Sequence, residues 1–554
     1  MQTLAANPEL RNHFSVAIYP FVHDLTGRAR AGQLEALGER WAPWWTRLTD
    51  EGLTDALQAT GFFLPYVRGL LYPEVAVLQD EPPGPGYRRW AQQLRHWSNP
   101  GLARFCRRLP SSAILRLTYR DSVLLPLAGF TVQWERRNEA ARARSAAGCL
   151  DWIDAVLFPS GVGFLLLQFR LRDRQPKLAQ LIELNQALRL VHSPSTTWKL
   201  PRLHFDAGGA PAALPDLLNH LTQGLVGGHG AAPWDGRFHP LGVETPETPY
   251  TDTEAGLAYG ERCHLLSYAC VNLADRTPAA LPAGVFASGE DRMLFEFGAG
   301  IGLNQTVENP MWVPSPEQAE RVRRENRLAM WRCWQALALK ESCVFLGTED
   351  LPFTTRSLPH TIEHDYLPLY LYTLHQKFQL MIFANDLMRE VAQVDSHLQG
   401  ARSLLHRFVA FRNRFWFSEV TRKPQGGELY RLMQQSMDVP GLYQMALASV
   451  KDAKEYYEER WDRQVRLGMT LLGFGGPIAA GFGAMQAYIN GPYLFAVLAA
   501  VGAVVTAMLI FLFDKKSAKR RRRPFRRSRK DRDAGAAQLL PYPGERRGPA
   551  ARAG

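Results

Sequence analysis

LGMTLLGFGGPIAAGFGAMQAYINGPYLFAVLAAVGAVVTAMLIFLF, residues Leu467–Phe513, runs for 47 residues without one Asp, Glu, Lys, Arg or His. A soluble domain has no means of burying so long a charge-free stretch, so its composition predicts a membrane hairpin. The stretch divides into Leu467–Ile489 and Tyr493–Phe513, each close to the ~20 apolar residues that carry a helix across the hydrocarbon core. Asn490, Gly491 and Pro492 form the predicted turn, and Tyr488 and Tyr493 stand where an aromatic belt meets water. Directly after the second span come Asp514, Lys515, Lys516, Lys519, Arg520 to Arg523, Arg526, Arg527, Arg529, Lys530 and Arg532. The positive-inside rule places this basic end in the cytoplasm. A hairpin returns the chain to the side it left, so everything before Leu467 is expected there too. The expected product is a multi-pass protein of the inner (plasma) membrane with both termini cytoplasmic.

The formal net charge is +12, and residues 514–533, with twelve Lys or Arg against three Asp, supply +9 of it. The high pI therefore belongs to a tail, and the long N-terminal part is nearly neutral. Behind a membrane span, such a cluster reads first as a topology signal and a contact for anionic lipids, ahead of nucleic-acid binding. The six cysteines, Cys106, Cys149, Cys263, Cys270, Cys333 and Cys343, show no close paired spacing of the zinc type. In the cytoplasm they are expected as reduced, mostly buried thiols, and no metal site or cofactor is assigned. Met1-Gln2-Thr3-Leu4 leads into polar residues without an apolar core of signal-peptide length, so insertion is expected to rely on the hairpin.

Upstream, the pattern predicts an α/β or α+β domain followed by long stalk helices. Short β-rich runs at Phe14–Tyr19, at Ser122–Trp134 broken by Pro126 and Gly129, and at Ala155–Phe158 joined through Pro159-Ser160-Gly161 to Phe164–Leu171 read as strands and hairpins. Gln33–Leu48 and Gln175–Leu190 read as helices, and Asp80–Gly86 as a loop. Residues 1–223 form the first cytoplasmic region. Residues 224–257, rich in Gly, Pro and Thr, are expected as a mobile excursion, and 258–365 complete the domain. Met293–Phe297 reads as a strand leading into the glycine run Gly298–Gly302, read as a β-turn. Ser315, Pro316 and Gln318 predict a capped helix start. Stalk helices fill 366–466: apolar residues at three-to-four spacing run from Tyr366 to about Val420, Pro424-Gln425-Gly426-Gly427 breaks the pattern, and a second pattern from Leu442 continues through Trp461 into the first span. The spans occupy 467–513 and the basic tail 514–554.

Three constellations invite chemistry. His360-Thr361-Ile362-Glu363-His364 has the spacing of a zinc site on a helix face, but Pro359 and Pro368 confine a helix there to about two turns, and a capped loop is the expected structure. The Gly298–Gly302 run fits neither a dinucleotide fingerprint nor a P-loop. Cys263-His264 with Cys270 is expected to be a buried helical face. The first span is the richer signal. It holds Gly468, Gly473, Gly475, Gly476, Gly481 and Gly483 with Thr470, Gln486 and Asn490, whereas the second is plainly apolar. Small and polar residues in a span suit close helix packing or a water-lined path, and an apolar span suits lipid.

A large α/β domain, long helices running into a first span, a very short external turn, an apolar second span and a basic end together resemble the CorA-like divalent-cation transporters. That family's first span ends in Pro and then Gly-x-Tyr-Gly-Met-Asn; here Pro477 leads to Gly481-Phe482-Gly483-Ala484-Met485-Gln486, with Ala484 in place of a glycine and Gln486 in place of the asparagine. A second register sets Tyr488-Ile489-Asn490 on the Gly-Ile-Asn variant of the zinc-transporting branch. The resemblance covers roughly Tyr366 to Lys516 and implies a homopentamer whose first spans surround a pore for Mg²⁺ or a similar ion, gated by the cytoplasmic domain, with no enzymatic activity. It implies an ion path along Thr470, Gly473, Gly481, Met485, Gln486 and Asn490, a gate at Met469 and Leu472, and a basic inner mouth at Lys515 and Lys516. Glu455, Glu458, Glu459 and Asp462 read as an exposed charged face of the stalk. The alternative is a membrane-anchored sensor or effector, such as the nucleotide-signal-activated defence branch of the superfamily, in which the hairpin is an anchor or a membrane-disrupting element.

Overall fold

The computed structural model describes residues 7–23, 40–44, 61–72, 114–134, 144–189, 191, 201–222, 225, 263–271, 285–303, 305–392, 398–452 and 455. The charge-free stretch 467–513 and the basic tail lie outside these residues. Among the described residues no helix is long and apolar enough to cross a membrane. The chain divides into one unit of Met1–Leu387 with Leu404–Val450 and a second of Met388–Ser403 with Lys451–Gly554. In the second unit the described residues are all helical.

The first unit is a mixed α/β domain built on a 12-stranded sheet. In chain order its strands are β1 (Leu10–Val22), β2 (Trp41–Pro43), β3 (Leu115–Tyr119), β4 (Gly129–Trp134), β5 (Arg144–Leu157), β6 (Val162–Leu171), β7 (Arg202–Phe205), β8 (Ala212–Ala213), β9 (His264–Val271), β10 (Arg327–Trp331), β11 (Trp334–Ala338) and β12 (Ser342–Gly347). They lie in the order β10-β11-β12-β9-β1-β6-β5-β4-β7-β8, while β3 pairs with β5 beyond the reach of β4 and carries β2. All pairs are antiparallel except β12 with β9. That parallel pair needs a crossover, and the chain between the two strands supplies helices for it.

β1 and β6 at the sheet centre are buried on both faces, which is why their sequences read as continuous apolar runs. On one face Ala17, Tyr19, Phe21, Ile153, Leu165 and Leu167 meet helix α2 (Leu178–Arg189), whose Leu181, Ile182 and Leu188 join the same core. Each such side chain contributes about 1.5–3 kcal/mol on burial, so the packed face rather than intrinsic propensity secures the helix. The opposite face carries Val16, Ile18, Val156, Phe158, Phe164 and Leu166, also buried. It lies under helix α6 (Leu367–Ala392): Phe164 meets Phe378 at 6.1 Å between ring centroids, and Phe158 stacks on His375 at 3.9 Å. Helices α7 (Leu398–Phe415) and α8 (Pro424–Ser436) follow, and helix resumes over 439–452. Two glycines are required by aromatic neighbours. Phe21 lies opposite Gly163 and Phe130 opposite Gly148, each with ring atoms under 3 Å from where a Cβ would stand.

The β5–β6 hairpin, α2 and the Ser315 cap stand where their sequences place them; Ser315 Oγ accepts from Gln318 N at 3.2 Å. Several elements differ. Met293–Phe297 is helical, inside α4 (Gly289–Ala299), because Ser288 caps it through Asp291 N, acids fill the first turn, and Gly300 at φ +66° closes it. The glycine run is thus a helix end and not a β-turn. Cys263 leads into β9, where side chains alternate between two faces instead of sharing a helical one. Trp41–Pro43 is strand, flanked by turn residues Arg40 and Trp44, within the stretch read as helix from Gln33 to Leu48; the remainder lies outside the described residues. Asp121–Leu124 and Leu125–Leu127 are helical turns ahead of β4, so only the end of Ser122–Trp134 is strand. Pro424 starts α8 rather than interrupting a pattern, since its missing N–H costs nothing at a first helical position. The readings for Asp80–Gly86 and Gly224–Thr253 fall outside the described residues, except Leu225.

Candidate functional site

The candidate ion path Thr470, Gly473, Gly481, Met485, Gln486 and Asn490, the gate Met469 and Leu472, and Lys515 and Lys516 at the inner mouth all lie outside the described residues, as do Glu458, Glu459 and Asp462. Glu455 is described and solvent-exposed. The site that the described residues build is a polar seam between the sheet and α6.

Residues 367–380 of helix α6 are all buried, and among them Thr373, His375 and Gln376 have no solvent exposure and Lys377 and Gln379 very little. Each polar group therefore requires a partner, since an unmade hydrogen bond here costs about 1–3 kcal/mol. His375 Nε2 lies 3.0 Å from Ser160 Oγ at the β5–β6 turn, with its ring between Phe158 and Phe415. Burial pulls its pKa down to about 3, so it is neutral at physiological pH. Gln376 donates to Phe415 O at 2.8 Å and Tyr430 Oη at 2.9 Å, while its own Oε1 accepts from Gln434. This amide ties α6 to the end of α7 and to α8. Burial lowers the Lys377 ammonium to about 8, with the Lys340 charge adding and Glu341 opposing. Lys377 Nζ reaches Lys340 O at 3.4 Å.

The lead-in to α6 corrects the reading of the histidine motif. Phe353–Ser357 and Ile362–Tyr366 are π-helical, Leu358–Thr361 between them is α-helical, and the run enters α6 without a break. Pro359 and Pro368 therefore sit within a continuous helical path; a proline lacks one N–H and crowds the preceding turn, and a widened π turn accommodates both. The rings of His360 and His364 stack at 4.0 Å, and His364 Nδ1 lies 3.0 Å from His360 O. Glu363 turns to the sheet instead, accepting from Trp152 Nε1 at 3.0 Å and Gln168 Nε2 at 3.5 Å. Histidines and glutamate thus do not converge, and among the described residues no group of three or more His, Cys, Asp or Glu can hold a metal ion.

Deeper on the same face, Asp154 is fully buried and its Oδ2 accepts from Arg116 Nε at 2.9 Å and Nη2 at 2.7 Å. The Arg116 guanidinium also lies 4.0 Å over the Trp44 ring. The sequence singled out none of Asp154, Arg116, Gln376 or Lys377, and it marked Glu363 only as part of the histidine motif. One signal was present: five polar residues from Thr373 to Gln379 interrupt residues 367–383, a run otherwise made of Leu, Tyr, Phe, Met, Ile and one Pro.

Asp365 gives the seam a pH dependence. Burial raises its carboxyl to about 6, although Lys423 at 3.6 Å works against the shift. Its pKa is higher folded than unfolded, so the folded chain binds more protons between about pH 4 and 6, and stability falls as pH rises through that window. Asp365→Asn mimics the protonated form. It is expected to stabilise the domain by on the order of 2 kcal/mol above pH 6, with the gain vanishing below pH 4, in thermal denaturation across that range.

No protein-family model matches this chain, and no curated protein matches it.

Proposed function

We propose that the chain is a membrane channel or transporter for divalent cations, Mg²⁺ or a similar ion, working as a homopentamer gated by its large N-terminal domain. The observation that carries the reading is Leu467–Phe513: 47 residues free of charge and histidine, glycine-rich and polar in the first half, apolar in the second, and followed by twelve Lys or Arg within residues 514–533. Helix α7 and the helix over 439–452, which follow the sheet in the chain, support it as candidate stalk elements. Mg²⁺ sheds water reluctantly, so a ring of neutral amide oxygens, from Gln486 or Asn490 repeated by symmetry, holds the hydrated ion through its waters without trapping it. Met469 and Leu472 close the path by dewetting, and Lys515 and Lys516 surround the inner mouth and contact anionic lipids. In this reading both termini are cytoplasmic and the membrane is the inner (plasma) membrane.

A second reading, a membrane-anchored sensor or effector, draws on Ala484 and Gln486 standing where the CorA-like signature has glycine and asparagine. The two readings part on oligomeric state. Full-length protein purified in detergent is expected to have the mass of a pentamer by light scattering and to carry Mg²⁺ into liposomes. A monomer or dimer without flux overturns the channel and leaves the anchored effector.

A further inference from the structure

At the end of the sheet farthest from β8, the β10–β11 hairpin and the segment after β12 line a groove of about 760 Å³. The polar seam and the proposed pore make no use of it. Its wall includes Met330 and Trp331, which are 39% and 52% exposed, a large apolar presence for hairpin residues. Beside them Gln335 is only 6% exposed, and its Nε2 donates to Glu290 Oε2 at 3.3 Å. A carboxylate only accepts, so the amide must be turned this way, and its Oε1 is left as a buried acceptor without a partner among the described residues. The other carboxylates lining the groove are matched by arginines, Glu349 by Arg332 at 3.1 Å and Asp350 by Arg11 at 3.3 Å, and Arg327 in its wall is neutralised by Asp291 outside it. Glu290 has no cationic partner among the described residues.

We propose that this groove binds a small organic cation, a guanidinium or primary ammonium carried on an apolar body. The Glu290 carboxylate supplies the unmatched charge, Gln335 Oε1 accepts an N–H, and the Trp331 face attracts the cation while Met330 covers its apolar stem. A hard divalent cation is a poor occupant. It asks for six or more oxygens, and the described residues offer no group of three metal-ligating side chains. The inference deepens the proposed function by giving the regulatory domain a ligand class, and only the consequence for gating rests on that function; the binding does not.

The test is isothermal titration of the full-length, detergent-purified chain with butylguanidinium and with agmatine, using neutral butylurea and MgCl₂ as controls. Saturable binding of both cations is expected, with no binding of butylurea. Glu290→Gln keeps an acceptor beside Gln335 but removes the charge, and is expected to weaken binding about tenfold. Trp331→Ala, at an exposed position, is expected to weaken it about fivefold with an unchanged melting temperature. Absence of saturable binding, or equal affinities in wild type and both variants, overturns the proposal. Displacement of agmatine by equimolar MgCl₂ overturns it in favour of a metal site. Ion flux is not measured here, so binding without flux in liposomes would sink the channel and keep the groove, and flux without binding would do the reverse.

Discussion

Gln486→Leu or Asn490→Leu is expected to abolish the Mg²⁺ flux into liposomes proposed for this chain, with oligomer size unchanged, and this is the largest effect expected of any substitution in it. Leu roughly preserves the side-chain volume and deletes the amide acceptor, so packing survives and the ring that would hold the hydrated ion is lost. One of the two is expected to be far more damaging than the other, and that choice assigns the register of the degenerate signature. Cysteine replacements give an independent reading in a background free of native cysteines. Thr470→Cys, Gly473→Cys, Gln486→Cys and Asn490→Cys are expected to react with small polar thiol reagents, because thiolates form where water reaches. Replacements at Val497, Val501, Val505 and Leu509 are expected to be protected by lipid. Uniform protection along both spans, with flux indifferent to both leucine variants, would reduce the hairpin to an anchor.

Asp154→Ala is expected to destabilise the α/β domain by about 3–5 kcal/mol, a large part of the ~5–15 kcal/mol that holds a domain folded. The cause is the charge left behind. Asp154 and Arg116 lie buried on β5 and β3, and without the carboxylate the guanidinium keeps the Trp44 ring as its compensation among the described residues. Replacing both together, with Arg116→Met and Asp154→Leu, is expected to cost far less, because it removes two desolvated charges at once. Denaturant unfolding of the two variants and of each single change closes a double-mutant cycle. A double variant as unstable as Asp154→Ala alone would mean that the damage arises from packing rather than from the orphaned cation.

Both experiments address features that the sequence displays very unequally. The amides of the first span stand out because a charge-free run makes every polar residue conspicuous. Asp154 is one carboxylate among 53 acidic residues, and nothing in its neighbourhood announces that it is buried. The same holds along α6. Its periodic apolar residues marked a helix, but Gln376 acquires its role from Phe415, Tyr430 and Gln434, which lie 39, 54 and 58 residues away. Glu363 takes its two donors from β5 and β6, so the histidine motif was legible as spacing and illegible as orientation.

What the sequence determined by itself is what a few consecutive residues decide through their own backbone. Ser315 starts a helix because its hydroxyl reaches an amide three residues on, and the β5–β6 turn closes because Gly161 tolerates φ +90°. The charge-free stretch and its basic flank belong to the same class as features of composition, since composition alone separates them from the rest of the chain. The tertiary structure decided which of two periodicities won where both were present. Met293–Phe297 has the composition of a strand, yet its apolar side packs toward β11 and β12 as part of a helix rather than joining the sheet. It also decided that Cys263–Cys270 is a strand, because β1 on one side and β12 on the other satisfy its backbone groups. Partners more than 200 residues away along the chain, such as Ser15 and Ser267, are brought together only when the sheet assembles. No local pattern carries that information, because the free energy that selects it resides in contacts between distant segments.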